Sequence, residues 1–125
     1  QDGSNNAPVI IYICGEGTCS APKETSFTIN LAKYIKARVI ALEQDTTANP
    51  SPEKIGPTPT LRLTADQALA DIANFCASIV PGKRVITIGG SYPGAMSSWF
   101  RNKYPHIALG ALASSAVVDA VYDFY

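Results

Sequence analysis

Four short apolar runs, separated by segments with helical spacing, constrain the fold of this chain more than any other feature. The runs are Pro8–Cys14, Arg38–Glu43, Arg84–Ile88 and Ile107–Ala116. The first is rich in β-branched residues and lacks polar alternation, which predicts a strand covered on both faces. Strands that alternate with helices in this way form a mostly parallel sheet with right-handed crossovers, so the pattern predicts an α/β fold.

Three segments between these runs are predicted to be helices. They span about Thr25–Lys36, Thr64–Val80 and Pro93–Lys103. Thr64 and Gln67 form a capping box at the start of the second helix, and Pro81-Gly82 ends it. The predicted apolar stripes comprise Phe27, Leu31, Ala32 and Ile35 in the first helix, and Ala65, Ala68, Leu69, Ile72, Cys76, Ile79 and Val80 in the second.

If the strand order is second, first, third, fourth, a topological switch lies between the first and third strands. Ligands bind at the carboxyl ends of strands at such a switch. The loops Gly15–Gly17 and Gly89–Gly94 are expected to meet there. A third loop, Asp45–Thr60, contains four prolines and is longer than a simple connection needs, which favours a functional or lid-like role.

Charge and composition exclude several classes of protein. Ten basic residues balance ten acidic ones and form no basic run, which argues against nucleic acid or an anionic membrane as partner. No apolar stretch approaches the roughly 18–20 residues of a membrane-spanning helix. The 46% content of hydrophobic residues argues against intrinsic disorder.

The cysteine pattern fits no zinc-site spacing, since there are three cysteines and a single histidine. For Cys14 and for Cys76, a role as a small buried apolar residue is about as well supported as a chemical role for the thiol. A disulfide that involves Cys19 is compatible with a secreted or lysosomal protein, but the spacing does not determine its partner. No metal or other cofactor is predicted.

The segment Gly89–Gly94 has the strand-to-helix context of a nucleophile elbow. Such a turn lifts a serine hydroxyl, here that of Ser91, clear of the sheet and above a helix N-terminus. The backbone N–H of Tyr92 is then one predicted oxyanion donor. The second donor is expected from the loop after the first strand, around Gly15 and Glu16.

One position departs from the general G-x-S-x-G pattern, because Pro93 stands two residues after the serine and Gly94 follows it. Proline is tolerated in the first turn of a helix, where its missing N–H would have no intrahelical partner. The alternative is an ordinary glycine-rich or phosphate-binding turn. A nucleotide-binding module is disfavoured, because the segment lacks a P-loop lysine and the dinucleotide-binding spacing.

The chain does not supply a complete Ser-Asp-His triad. His106 is the single histidine, and the helix after Ser91 is expected to carry it away from the elbow. Asp119 and Asp123 follow the fourth strand, but no histidine comes after them. The sequence therefore predicts half of a catalytic site.

Three segments resemble the serine carboxypeptidase family that includes lysosomal Pro-X carboxypeptidase and dipeptidyl peptidase II, and especially its plant and protist branch. They are Ile11–Cys19, Leu61–Phe75 and Gly89–Val118, and the last includes Pro93. The resemblance implies that residues 1–125 are the N-terminal portion of an α/β-hydrolase catalytic domain, with helices on both faces of the sheet and Ser91 as nucleophile. It also implies cleavage beside proline near a peptide end, and a triad Asp and His beyond Tyr125.

In this family the second strand is usually followed by Glu-His-Arg-Tyr-Tyr-Gly, whereas this chain has Glu43 followed by Gln44–Ala48. This departure favours altered specificity, or a catalytically inactive relative that serves as a structural or binding component of a larger assembly. Glu16 is a candidate to bind a substrate amine, although a solvated loop carboxylate explains it equally well. Met96, Trp99 and Phe100 are predicted to form the buried face of the nucleophile helix.

The resemblance further implies a peptide substrate with proline near a terminus and a lysosomal, vacuolar or secreted location. The chain alone is expected to be inactive. It is expected to contact the rest of its own domain or another chain, because a partial sheet leaves an open edge and an apolar face.

Overall fold

Strands and helices alternate along the chain, and this confirms the predicted α/β class. The computed structural model describes residues 7–15, 18–43, 64–119 and 121–122. The elements in chain order are β1 (Val9–Ile13), α1 (Phe27–Ile35), β2 (Arg38–Leu42), α2 (Ala65–Ile79), β3 (Val85–Gly90), α3 (Tyr92–Lys103) and β4 (Ala108–Ser114). The loop predicted over Asp45–Thr60 lies outside the described residues. Within the described ranges, no helix is long and apolar enough to span a lipid bilayer.

The four strands form one parallel sheet in the order β2-β1-β3-β4, which is the order assumed from the sequence. β1 and β3 are neighbours, and Tyr12 lies opposite Ile88 near their carboxyl ends. The loop that leaves β1 and the turn that leaves β3 therefore start at the same edge of the sheet. This edge is the topological switch where α/β folds bind their ligands.

β1 is buried on both faces, which explains its continuous apolar sequence. Val9, Ile11 and Ile13 pack in the larger core, which also contains buried residues of α2 and α3. Ile10 packs on the opposite face in a smaller core with Ala32 of α1. Helices thus cover both faces of the sheet, as expected for a strand pattern without polar alternation.

Residue Ser26 sets the start of α1. Its Oγ accepts a hydrogen bond from the Ile29 N–H at 3.3 Å, so the helix begins at Phe27 and not at the predicted Thr25. Phe27 does not belong to the buried stripe, because 63% of it is exposed. The stripe prediction is confirmed for Ala32, which is buried, and for two partly buried neighbours, Leu31 and Ile35.

Half of the capping box predicted for α2 is present. Thr64 Oγ1 accepts a hydrogen bond from the Gln67 N–H at 3.2 Å. The Gln67 side chain does not reach back to the cap, because its Nε2 donates to Asp71 Oδ1 at 2.9 Å. Most of the predicted stripe is buried, including Ala68, Leu69, Ile72, Cys76 and Val80, whereas Ile79 is 52% exposed.

β4 lies at one edge of the sheet and is covered less than the other strands. Ala108 is fully buried against the larger core. Leu109 and Leu112 are 51% and 39% exposed. The contact expected between this chain and the rest of its domain, or another chain, stays a prediction.

Candidate active site

Ser91 is the single residue between β3 and α3, and its backbone is unusual. Its φ and ψ are 61° and −127°, a region that L-residues rarely adopt. The Ser91 N–H donates to the carbonyl oxygen of Ser114 at 3.0 Å, and the Ser91 carbonyl accepts from the Ala95 N–H at 3.1 Å. Ser91 is exposed, and its side chain makes no capping hydrogen bond. A strained, exposed serine at a strand-to-helix turn has the geometry of a nucleophile elbow.

The turn is sharper than the sequence predicted, because β3 continues to Gly90 and α3 begins at Tyr92. Gly89 and Gly90 remain paired with Ala113 and Ser114 of β4. The sequence predicts that the strand ends at Ile88, since glycine has a low propensity for strands. Tertiary pairing overrides that propensity here.

At two positions near the turn, neighbouring backbone atoms come so close that only glycine fits. A Cβ on Gly89 would overlap the carbonyl group of Pro93. A Cβ on Gly94 would lie 2.8 Å from the Ser114 carbonyl oxygen. The glycine two residues before the serine is thus required because the turn leaves no room for a side chain there. Gly94 is needed for the separate reason that α3 passes close to the end of β4.

α3 is anchored beneath the turn by its buried face. Met96 and Phe100 are buried, and Trp99 packs partly buried against the same core, as predicted for this helix. The Ser97 hydroxyl donates to Thr87 Oγ1 at 2.8 Å, and both residues are fully buried. This bond ties the helix directly to β3 just before the turn.

The N-terminus of α3 provides the environment that an oxyanion needs. Tyr92 is the first residue of the helix, and an N–H at this position has no intrahelical partner. The helix dipole adds a partial positive charge at the same end. The Tyr92 ring packs edge-on against Trp99, with a centroid distance of 6.4 Å, so the side chain is held along the helix.

The loop after β1 starts beside this helix end. The parallel register of β1 and β3 ends with Tyr12 opposite Ile88, so Gly15 and Ser91 each follow their strand by a short distance at the same edge of the sheet. A Cβ on Gly15 would meet nothing within 4 Å, so there is open space beside its backbone. Glu16, the predicted substrate-binding residue, lies outside the described residues, as do Gln44–Ala48.

Cys14 and Cys19 form a disulfide with a Cα–Cα distance of 5.4 Å. This confirms a disulfide at Cys19 and identifies Cys14 as its partner, which the spacing left open. Cys14 is also buried, as its reading as a small apolar residue predicted. Cys76 is a buried free thiol, and burial raises its pKa to about 11. A thiol with such a pKa is almost entirely protonated at neutral pH, so it is a core residue and not a nucleophile.

A cleft of about 750 Å³ opens on the α1 side of the elbow. Its walls combine the ends of β1, β3 and β4 with the loop that leads into α1. The lining residues are Tyr12, Ser20, Ala21, Pro22, Lys23, Thr25, Ser26, Phe27, Thr28, Ile88, Gly89, Gly90, Leu112 and Ser114. None of these described lining residues is an acid or a histidine, so this part of the cleft supplies apolar contacts and no general base. Sequence reasoning missed it because Phe27 fits a buried helical stripe.

His106 lies at the opposite end of the sheet from Ser91. It precedes β4, whereas Ser91 follows β3, and Val85 pairs with Ala108 at that far end. The seven residues of β4 span roughly 20 Å. The prediction that the helix after Ser91 carries His106 away from the elbow is therefore confirmed. The described part of the chain also holds no group of three or more potential metal ligands.

Comparison with known proteins agrees with this geometry. The family model described as serine carboxypeptidase S28 matches residues 3–125. The probable serine protease EDA2 of Arabidopsis thaliana is 39% identical over 97% of this chain and 27% of its own length. Prolyl carboxy peptidase like protein 5 of Caenorhabditis elegans is 38% identical over 94% of this chain and 27% of its own length.

Human lysosomal Pro-X carboxypeptidase is 34% identical over 91% of this chain and 25% of its own length. The chain thus spans about a quarter of the length of these curated relatives. The match covers nearly all of the chain, including the β3-Ser91-α3 turn. By this match and the fold that carries it, the chain belongs to the serine carboxypeptidase S28 family.

Proposed function

We propose that residues 1–125 form the N-terminal portion of an α/β-hydrolase catalytic domain and supply the nucleophile of a serine exopeptidase. The observation that carries this proposal is the backbone of Ser91, whose φ of 61° holds an exposed hydroxyl above the N-terminus of α3. A rare backbone conformation of this kind is retained where a function depends on it. Membership of a serine carboxypeptidase family supports the same reading.

In the proposed reaction, Ser91 Oγ attacks the scissile carbonyl carbon while a general base takes the hydroxyl proton. The negative charge that develops on the carbonyl oxygen is stabilised by the N–H groups of Tyr92 and Gly15. The base returns its proton to the departing amine, and an acyl-enzyme remains on Ser91. Water then hydrolyses this ester. The histidine base and the aspartate that orients it lie outside residues 1–125 in this proposal, so the chain alone is inactive.

The proposed substrate is a peptide with proline near one end, by analogy with the relatives named for prolyl or Pro-X carboxypeptidase activity. Glu16 is proposed to pair with a charged group of this substrate. The corresponding location is lysosomal, vacuolar or secreted, an assignment supported by the lysosomal relatives and by the Cys14–Cys19 disulfide.

Labelling with a fluorophosphonate tests the nucleophile. We expect the full-length protein to be labelled at Ser91, as mapped by peptide mass spectrometry, and Ser91→Ala to abolish both labelling and hydrolysis of a prolyl amide. Ser78→Ala is the matched control, because Ser78 is an exposed serine of α2 whose hydroxyl bonds the Asn74 carbonyl. Labelling elsewhere, or turnover that survives Ser91→Ala, would overturn the proposal.

A second candidate is a catalytically inactive relative that acts as a component of a larger assembly. One observation favours it: the residues Gln44–Ala48 depart from the pattern usual in the family. The labelling experiment separates the two candidates. Full-length protein that folds but neither reacts with the phosphonate nor hydrolyses prolyl substrates would favour the inactive component.

A further inference from the structure

The loop after β1 is anchored at its first residue by two different bonds. Cys14 is 3% exposed and is covalently joined to Cys19. The Cys14 N–H also donates to the Leu42 carbonyl oxygen at 3.0 Å, which extends the pairing of β1 with β2 by one residue. The backbone just before Gly15 is therefore held both by the sheet and by the disulfide.

A carboxylate from the neighbouring strand anchors the far end of the same loop. Oε1 of Glu43, the residue directly after β2, accepts a hydrogen bond from the Cys19 N–H at 3.3 Å. The two residues are 24 positions apart in the chain. This contact is exposed to solvent, so its role in the argument is to fix a position and not to add stability. The disulfide and Glu43 thus connect both ends of the loop to the β1-β2 pair.

Gly15 follows Cys14 directly and lies at the same edge of the sheet as Ser91, just beyond the end of the β1-β3 pairing. An oxyanion donor is effective only when its N–H lies about 2.7–3.1 Å from the place where the charge develops. Small displacements therefore reduce catalysis steeply. A loop that carries such a donor needs fixed ends, and the described contacts provide them.

We propose that Glu43 and the Cys14–Cys19 disulfide are positioning groups that hold the Gly15 N–H in place for the oxyanion at Ser91. The inference rests on the proposed serine peptidase function. Neither group touches the substrate in this account. Their loss is therefore expected to slow the chemical step and to leave substrate binding nearly unchanged.

Variants of Glu43 test the carboxylate in the full-length protein with a prolyl amide substrate. We expect Glu43→Ala to lower kcat by at least about 10-fold, within the ~10²–10³-fold limit for complete loss of one oxyanion donor, with KM changed by less than about twofold. Glu43→Gln keeps an acceptor oxygen and is expected to restore most of kcat. The matched control is Glu24→Ala, which removes an exposed carboxylate that pairs with Lys33.

The double variant C14A/C19A tests the disulfide, and Cys76→Ala controls for the loss of a buried cysteine. We expect a similar fall in kcat for C14A/C19A and no such fall for Cys76→Ala. Activities are expressed per mole of Ser91 labelled at the end point, so that unfolded molecules do not count. If C14A/C19A fails to fold, the Glu43 variants decide the question alone.

A protein that is labelled at Ser91 but keeps its kcat in Glu43→Ala would overturn the positioning role and leave the proposed function intact. A parallel loss of kcat in Glu43→Ala and Glu43→Gln would also overturn it, because the glutamine retains the hydrogen-bond acceptor. Failure to label Ser91 in the unmodified protein would contradict the proposed function itself. The two failures are thus distinguishable.

Discussion

At the scale of single residues, Ser91 has a conformation that its own chemistry disfavours. A positive φ in a residue with a side chain costs on the order of 1–3 kcal/mol, and the surrounding structure must impose it. The Ser91 backbone is held between Ser114 of β4 and Ala95 of α3. Gly89 permits the turn, because any side chain there would collide with the Pro93 carbonyl.

The adjacent glycines Gly89 and Gly90 provide a matched pair to test this steric requirement. We expect Gly89→Ala to destabilise the protein by about 1–3 kcal/mol or more, since the added methyl group would displace the backbone of α3. Gly90→Ala is expected to be tolerated, because its Cβ would meet nothing within 4 Å. Urea unfolding of both variants measures the difference. Equal stability of the two would contradict the assignment.

At the scale of elements, the position of the turn depends on how α3 is fixed to β3. In the described structure, two side-chain hydrogen bonds join these elements, both between the fully buried residues Ser97 and Thr87. The Ser97 hydroxyl donates to Thr87 Oγ1 at 2.8 Å, and Thr87 Oγ1 donates to the Ser97 carbonyl oxygen at 3.4 Å. Buried hydroxyls need partners, because an unpaired one keeps its full desolvation cost. The Ser97–Thr87 pair therefore fixes the orientation of α3 on β3, in a contact that is otherwise apolar.

A double-mutant cycle at this pair measures that contribution. We expect Thr87→Val to lower the free energy of unfolding by about 1–3 kcal/mol, since it leaves the Ser97 hydroxyl buried without its acceptor. In T87V/S97A neither hydroxyl remains, so the double variant is expected to lose less than the sum of the two single losses. Additive losses, within about 0.5 kcal/mol, would show that the hydroxyls are not coupled.

At the scale of the whole molecule, stability resides chiefly in the larger core, where β1 packs with α2 and α3. Cys76 is 2% exposed within this core. Desolvation raises its thiol pKa from 9.0 to about 11. Folding therefore favours the protonated thiol. As a result, the free energy of unfolding depends on pH in the alkaline range.

The raised pKa of Cys76 changes stability with pH in a definite direction. Between pH 9 and about 11 the unfolded thiol loses its proton while the folded one keeps it, so the Cys76 contribution to stability falls as pH rises through this window. Below pH 9 the contribution is complete. We expect the stability of Cys76→Ala to fall less steeply with pH over this range than that of the unmodified protein. Thermal unfolding midpoints at pH 8–11 provide the comparison, and parallel profiles would contradict the raised pKa.

Local pattern alone was enough to predict the α/β class and the strand-to-helix turn at Ser91, and the strand order assumed with it is the one observed. Strand and helix periodicity, Gly/Pro punctuation and strand-helix alternation are short-range features of the chain, and burial on both faces leaves a readable apolar run. Only the tertiary structure decided the partner of Cys19, the exposure of Phe27, the end of β3 and the Glu43 contact across 24 residues. Each of these depends on which distant segments meet in space, and that information is not contained in any local window of residues.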